Sequence, residues 1–199
     1  MDKSVTVKNL TFREGQTLIC VPLVGKSIPE LQQRAQDLAN AGADIIEWRV
    51  DHYADFASTV QVMQALQAIR PHVAQLPLIF TFRSKKEGGE NELSDEAYFA
   101  LNRLAVSSGM VDIIDVELFN DERCIGELVD AAHATDVKVI MSSHDFVKTP
   151  AKDDIIHRLC RMQALGADLP KIAVMPQCAE DVLRLLDATL TMKQQYATR

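Results

Sequence analysis

Hydrophobic positions along the chain follow two alternating rhythms. Six short runs, at residues 18–24, 45–50, 78–83, 113–117, 138–144 and 171–176, are rich in Ile, Val, Leu or Phe. Their length and composition predict β-strands. Between them apolar residues fall three and four apart: Ile28-Leu31-Ala35-Leu38, Val62-Met63-Leu66-Ile69, Leu101-Leu104-Ala105, Ile125-Leu128-Val129-Ala132, Ile155-Ile156-Leu159-Met162 and Val182-Leu185-Leu186-Leu190. That spacing lays one apolar stripe along each helix. Ser27 three residues before Glu30, Ser94 before Glu96, and Pro150 supply signals for helix starts. Residues 5–12 and Gly15 predict a small extra strand or hairpin ahead of the first run. Strict βα alternation implies an α/β fold with a parallel sheet and right-handed crossovers. No Pro- or Gly-rich linker divides the chain, so residues 1–199 read as a single domain.

Two architectures accommodate six βα units, an open doubly wound sheet and a closed barrel. Helices on both faces of an open sheet require strands apolar on both faces. Several runs break that rule. Glu47 and Arg49 alternate with Ile46, Trp48 and Val50; Thr81 and Arg83 with Phe80 and Phe82; Asp115 and Glu117 with Ile114 and Val116. Residues two apart share a face, so each strand has one apolar and one polar side. A barrel of the TIM type accounts for this: the apolar side packs on helices, and the polar side points inward near the strand C-termini, where barrel active sites lie. Trp48, Phe80 and Phe82 are then expected in the helix-facing core. Such a barrel has eight units in about 250 residues, and six are legible here.

Composition narrows the chemistry. The net charge is −7, with 47% hydrophobic and 25% charged residues. An acidic chain without a basic stripe lacks the electrostatic footprint of a nucleic-acid binder. No apolar run approaches the roughly 20 residues that span a bilayer, and MDKSVTVKNL does not read as a signal peptide. Cys20, Cys124, Cys160 and Cys178 form no CxxC pair and read as buried or idle thiols, consistent with a cytoplasmic protein. His52, His72, His133, His144 and His157 lack metal-ligand spacing, so no metal is expected.

The inward polar set is Glu47, Arg49, Arg83, Asp115, Glu117, His144 and Lys171. Buried unpaired, such charges cost several kcal/mol each, so mutual pairing around a wet cavity is expected. Lys171, at the start of the last run, is a candidate amine nucleophile if enclosed in partly cationic surroundings. Its position is awkward, since barrel sites lie at the other strand end. Either the strand begins too early as drawn, or the long side chain spans the gap. His144, ending the fifth run, is placed as a general acid or base. Glu47 and Arg49 also admit a structural ion pair. Gly88 and Gly89 allow a mobile loop in which Glu87 and Glu90 could swing over a ligand, the plainer reading of this charged run being a solvated loop.

These residues carry a resemblance. EWRVDHYAD at residues 47–55, FTFRSKKEGGE at 80–90, VDIIDVEL at 111–118, SSHDF at 142–146 and PKIAVMP at 170–176 resemble type I 3-dehydroquinate dehydratases, block after block in the same order. The resemblance implies a dimeric (β/α)8 barrel of the shikimate pathway, acting on 3-dehydroquinate without metal or cofactor. It implies Lys171 as the Schiff-base lysine, His144 as general base and acid, Glu87 as its supporting carboxylate, and Glu47, Arg49 and Arg83 as substrate-binding residues. Relative to that family, six of eight units are present, and a further arginine, serine and glutamine of the last two units have no counterpart. Weaker substrate binding, little turnover, and association through the open side of the sheet are therefore expected. Two rival readings are a Schiff-base aldolase and a non-catalytic truncated barrel or binding protein.

Overall fold

The computed structural model describes residues 4–13 and 15–196. It contains an N-terminal hairpin, β1 (Val5–Val7) and β2 (Leu10–Phe12), followed by six βα units. The strands are β3 (Cys20–Leu23), β4 (Ile45–Arg49), β5 (Leu78–Thr81), β6 (Ile113–Glu117), β7 (Lys138–Asp145) and β8 (Leu169–Val174). The helices are α1 (Ile28–Asn40), α2 (Thr59–Ile69), α3 (Asp95–Ser107), α4 (Glu122–Ala134), α5 (Lys152–Ala164) and α6 (Ala179–Gln195). All six strands pair in parallel in the order β3-β4-β5-β6-β7-β8. Sequential parallel order is the barrel arrangement; a doubly wound sheet reverses direction part-way.

The sheet is strongly curled. Lys171 on the last strand brings its Nζ within 3.7 Å of the Glu47 carboxylate on the second. In a flat sheet, four inter-strand steps of about 4.8 Å would separate those backbones by roughly 19 Å. The six strands thus form an incomplete barrel wall, and the described residues include no pairing of β8 with β3.

Each strand's alternation sorts its side chains. Outward-facing Trp48, Phe80, Ile114, Val116 and Met141 are fully buried against helix residues such as Leu31, Leu66, Leu128 and Met162. Trp48 meets Phe80 edge-on at 5.6 Å, and Phe82 joins the same core. Inward residues form layers. At the N-terminal ends lie Ile45, Ile79, Ile113, Ile140 and Leu169, and the hairpin covers them with Val5, Val7, Leu10 and Phe12. The hairpin thus plugs the bottom with apolar side chains, and the polar layer sits above.

Several expectations need correction. Ser27 precedes α1 without a side-chain cap; Glu30 instead accepts from the Lys26 N–H at 2.9 Å. Ser94 does cap α3, accepting from the Ala97 N–H. No cysteine is buried: Cys20 and Cys178 are exposed and the other two half-buried, all as free thiols. The stripe on α6 is only partly covered. Val182, Leu186 and Leu190 remain exposed, because α6 packs chiefly on α5 and no described element lies beyond it.

Candidate functional site

Register explains how the polar layer assembles. Lys171 is the third residue of β8 and pairs with Ser142, which in turn pairs with Glu117, the last residue of β6. Strand stagger therefore lifts Lys171 to the level of its neighbours' C-terminal ends. The strand begins earlier than the sequence suggested, at Leu169, so a premature start was not the reason for the lysine's apparent misplacement. His144 lies two residues beyond Ser142 on the same face and pairs with Ala173, two beyond Lys171. The lysine and histidine thus share the concave face.

Lys171 Nζ lies 3.3 Å from Asp115 and 3.7 Å from Glu47. These ion-pair partners are carboxylates, not the cationic company expected for it. Glu47 and Arg49 do not pair with each other either. Glu47 accepts from the Thr81 hydroxyl at 2.8 Å. Arg49 donates through two nitrogens to the two oxygens of Asp51, at 2.8 Å each.

Arg83 continues the inward face just past β5 and is 3% exposed. Its guanidinium reaches Asp115 at 2.9 Å, Glu117 at 3.0 Å, Glu87 at 3.5 Å and the Ser142 hydroxyl at 2.9 Å. Ser142 also donates to Asp115 at 2.5 Å. Full burial opposes the charge of Asp115, but Arg83, Lys171 and the serine outweigh it and hold its carboxyl below the usual range. Glu117 moves the other way, because burial and the neighbouring Glu87 exceed what Ser84 and Arg83 return. The buried Tyr98 hydroxyl accepts from the Glu117 N–H at 3.1 Å, fixing that strand end.

Glu87 sits in a short 3-10 turn, Lys85–Glu87, and is 6% exposed. One of its oxygens accepts from the His144 N–H at 3.1 Å and lies 2.8 Å from the imidazole Nδ1. A carboxylate on Nδ1 fixes the ring's orientation and leaves Nε2 available for proton transfer. Phe146 stacks beside the imidazole, with ring planes 9° apart. The loop is thus clamped rather than swinging: of its two glutamates Glu87 is buried and Glu90 exposed, and Lys85 and Lys86 face solvent. Gly88 takes φ +84°, and a Cβ on Gly89 would overlap the Arg83 carbonyl, so the glycines serve a tight fold-back.

The structure brings together Lys171, His144, Glu87, Glu47, Arg49 and Arg83 around one concave surface. Asp51 and Ser142 join them without having been singled out for roles, and Tyr98 holds the end of β6 from the helix side. Two signals were present, since Asp51 extends the Glu47-Arg49 alternation and Ser142 lies one alternation before His144.

Comparison with known proteins adds an independent line. The family model described as Type I 3-dehydroquinase matches residues 19–199. The chain belongs to the type I 3-dehydroquinase family. A 3-dehydroquinate dehydratase of Klebsiella pneumoniae subsp. pneumoniae is 69% identical over 199 residues, covering all of this chain and 79% of that protein. A crystal structure of the type I 3-dehydroquinate dehydratase of Clostridium difficile, carrying covalently modified comenic acid, superposes with TM-score 0.97 at 50% identity. That match covers all of this chain and 78% of the other. An archaeal fructose 1,6-bisphosphate aldolase superposes with TM-score 0.54 at 19% identity, a likeness of fold alone. The curled parallel α/β wall is therefore that of the type I 3-dehydroquinases.

Proposed function

We propose that the chain dehydrates 3-dehydroquinate to 3-dehydroshikimate in the shikimate pathway, through a Schiff base on Lys171. Family membership supports the reaction. The observation that carries the mechanism is one concave face holding a lysine amine beside a histidine whose Nδ1 is occupied by a buried carboxylate.

Attack of the Lys171 amine on the substrate ketone, with loss of water, gives an iminium. That cation withdraws electrons from the neighbouring carbon, whose proton the His144 imidazole removes. The electron pair passes into the carbon skeleton and expels the β-hydroxyl, which leaves as water after taking a proton from the imidazolium. Hydrolysis of the conjugated iminium releases the enone and restores the amine. Glu87 orients the imidazole and balances its transient charge. Glu47 and Arg49, both partly exposed on the face, contact substrate. The share of Arg83 is mostly indirect: both terminal nitrogens are engaged by carboxylates or Ser142, so it chiefly balances the charge around Lys171.

No metal or cofactor takes part in this scheme. We place the enzyme in the cytoplasm as one domain that pairs into a homodimer; no described helix is long and apolar enough to cross a membrane. The aldolase alternative has less support, because the kinship there is one of fold. The test is growth of enone absorbance on adding 3-dehydroquinate, compared with Lys171→Met. Signal in the parent that the substitution abolishes supports the proposal; equal signal in both overturns it.

A further inference from the structure

We propose that Asp51 is a positioning residue for the acid–base pair, fastening the loop that carries Glu87 onto the end of β4 so that Glu87 stays bonded to His144. This rests on the reading of Glu87 and His144 given above.

The loop's internal hydrogen bonds set its shape: Glu87 N–H and Gly89 N–H both donate to the Ser84 carbonyl, and Gly88 N–H to that of Lys85. They do not set its place. Placement comes from outside, and much of it converges on Asp51. One carboxylate oxygen accepts from the Arg83 N–H at 3.4 Å, before the turn. The other accepts from the Glu90 N–H at 3.1 Å, after it. The Asp51 carbonyl accepts from the Asn91 side-chain amide at 2.7 Å. Ser84 N–H donating to Glu117 is a further anchor. Asp51 therefore grips both ends of the segment whose middle residue meets the imidazole.

The side chain suits the task. Asp51 is fully buried, in the short turn that follows β4. Burial opposes its charge, but the Arg49 fork, the Glu90 N–H and His52 prevail and keep the carboxyl below its usual range. Carboxylate-to-amide bonds are among the stronger ones, and a fork-held carboxylate has little rotational freedom to lose. The same fork joins Arg49, a proposed substrate contact, to the Glu87 loop. Ligand engagement and imidazole placement thus share one carboxylate.

Asp51→Asn keeps the shape but replaces one acceptor oxygen with an amide donor, which cannot serve both Arg49 and the loop. Two readouts separate positioning from bulk stability. In 15N-histidine NMR, the His144 Nδ1 proton donated to Glu87 gives a downfield, exchange-protected resonance in the parent. Glu87→Ala removes it, and Asp51→Asn is expected to move it upfield and speed its exchange while the other histidine signals stay put. In kinetics, kcat falls roughly 10–100-fold, the scale of a slightly misplaced catalytic group, and any rise in KM from the loosened Arg49 fork comes on top of it. The double variant is then no worse than Glu87→Ala alone, as residues acting through one contact should behave. Asn91→Ala, which cuts one tie and leaves the carboxylate intact, shifts the same resonance in the same direction and serves if Asp51→Asn does not fold. An unchanged Nδ1 resonance in a folded variant overturns the proposal. So does a rise in KM alone, which would assign Asp51 to Arg49 only. Failure of 3-dehydroquinate to react with Lys171 would sink the dehydratase reading while leaving the NMR result interpretable.

Discussion

Arg83→Met tests the charge balance of the site most severely. Methionine keeps the length and apolar stem of arginine but removes a guanidinium that is 3% exposed and lies within 3.5 Å of Asp115, Glu117 and Glu87. Breaking a buried pair by deleting one partner typically costs about 3–5 kcal/mol, because the remaining charge is left uncompensated. Three carboxylates share this cation, so the loss belongs at the upper end of that range at pH 7.5. It should also depend on pH. In the parent, the lowered carboxyl of Asp115 contributes stability that is present above its unfolded value near pH 4 and lost only below it. Glu117, already raised, contributes stability that is lost as pH climbs through its folded value. In the variant Asp115 loses the cation that holds it down and Glu117 the one that restrains its rise, so stability absent at pH 7.5 returns as these two protonate on the way to pH 5. Each unit of upward shift is worth about 1.4 kcal/mol, so the loss should be measurably smaller at pH 5 than at pH 7.5. Urea unfolding at both pH values measures this, with Arg83→Lys as a milder control that keeps the charge and loses the fork. A loss under about 1 kcal/mol, or an equal loss at both pH values, would refute the reasoning.

Gly89→Ala should displace the Glu87 loop, since the added methyl overlaps the Arg83 carbonyl; we expect kcat to fall at least about tenfold, and an unchanged kcat counts against the clamped loop. Tyr98→Phe removes the acceptor of the Glu117 N–H and should cost about 1–3 kcal/mol in urea melts. Burial raises the pKa of that phenol well above its ordinary value, so the cost should not vary between pH 6 and 9. Ile113→Ala empties a fully buried position beneath the hairpin and should destabilise by about 2–5 kcal/mol with KM unaltered.

The period-two alternation carried most of the architecture. Glu47 and Arg49 opposite Trp48, and Asp115 and Glu117 opposite Val116, announced a wall with a dry side and a wet side, and both sides lie where the alternation put them. Partnerships were less legible. The alternative of a Glu47–Arg49 ion pair gives way to Arg49–Asp51, because Asp51 in the turn can meet the guanidinium with both oxygens. The height of Lys171 depended on register across two neighbouring strands, which no single run encodes. The glycine pair read as mobility, yet it serves a fold-back whose anchors lie about 35 residues upstream at Asp51. Long-range hydrogen bonds of that kind leave no periodic trace in a sequence. The exposed stripe of α6 was legible as apolar but not as uncovered, since coverage depends on what packs beyond it.

Reductive capture addresses the central claim directly. The protein is incubated with 3-dehydroquinate, treated with borohydride, digested, and the modified peptide located by mass spectrometry. The account predicts a single adduct on the PKIAVMP segment at Lys171, absent in Lys171→Met. An adduct on another lysine, or none in a folded protein at saturating substrate, would contradict it.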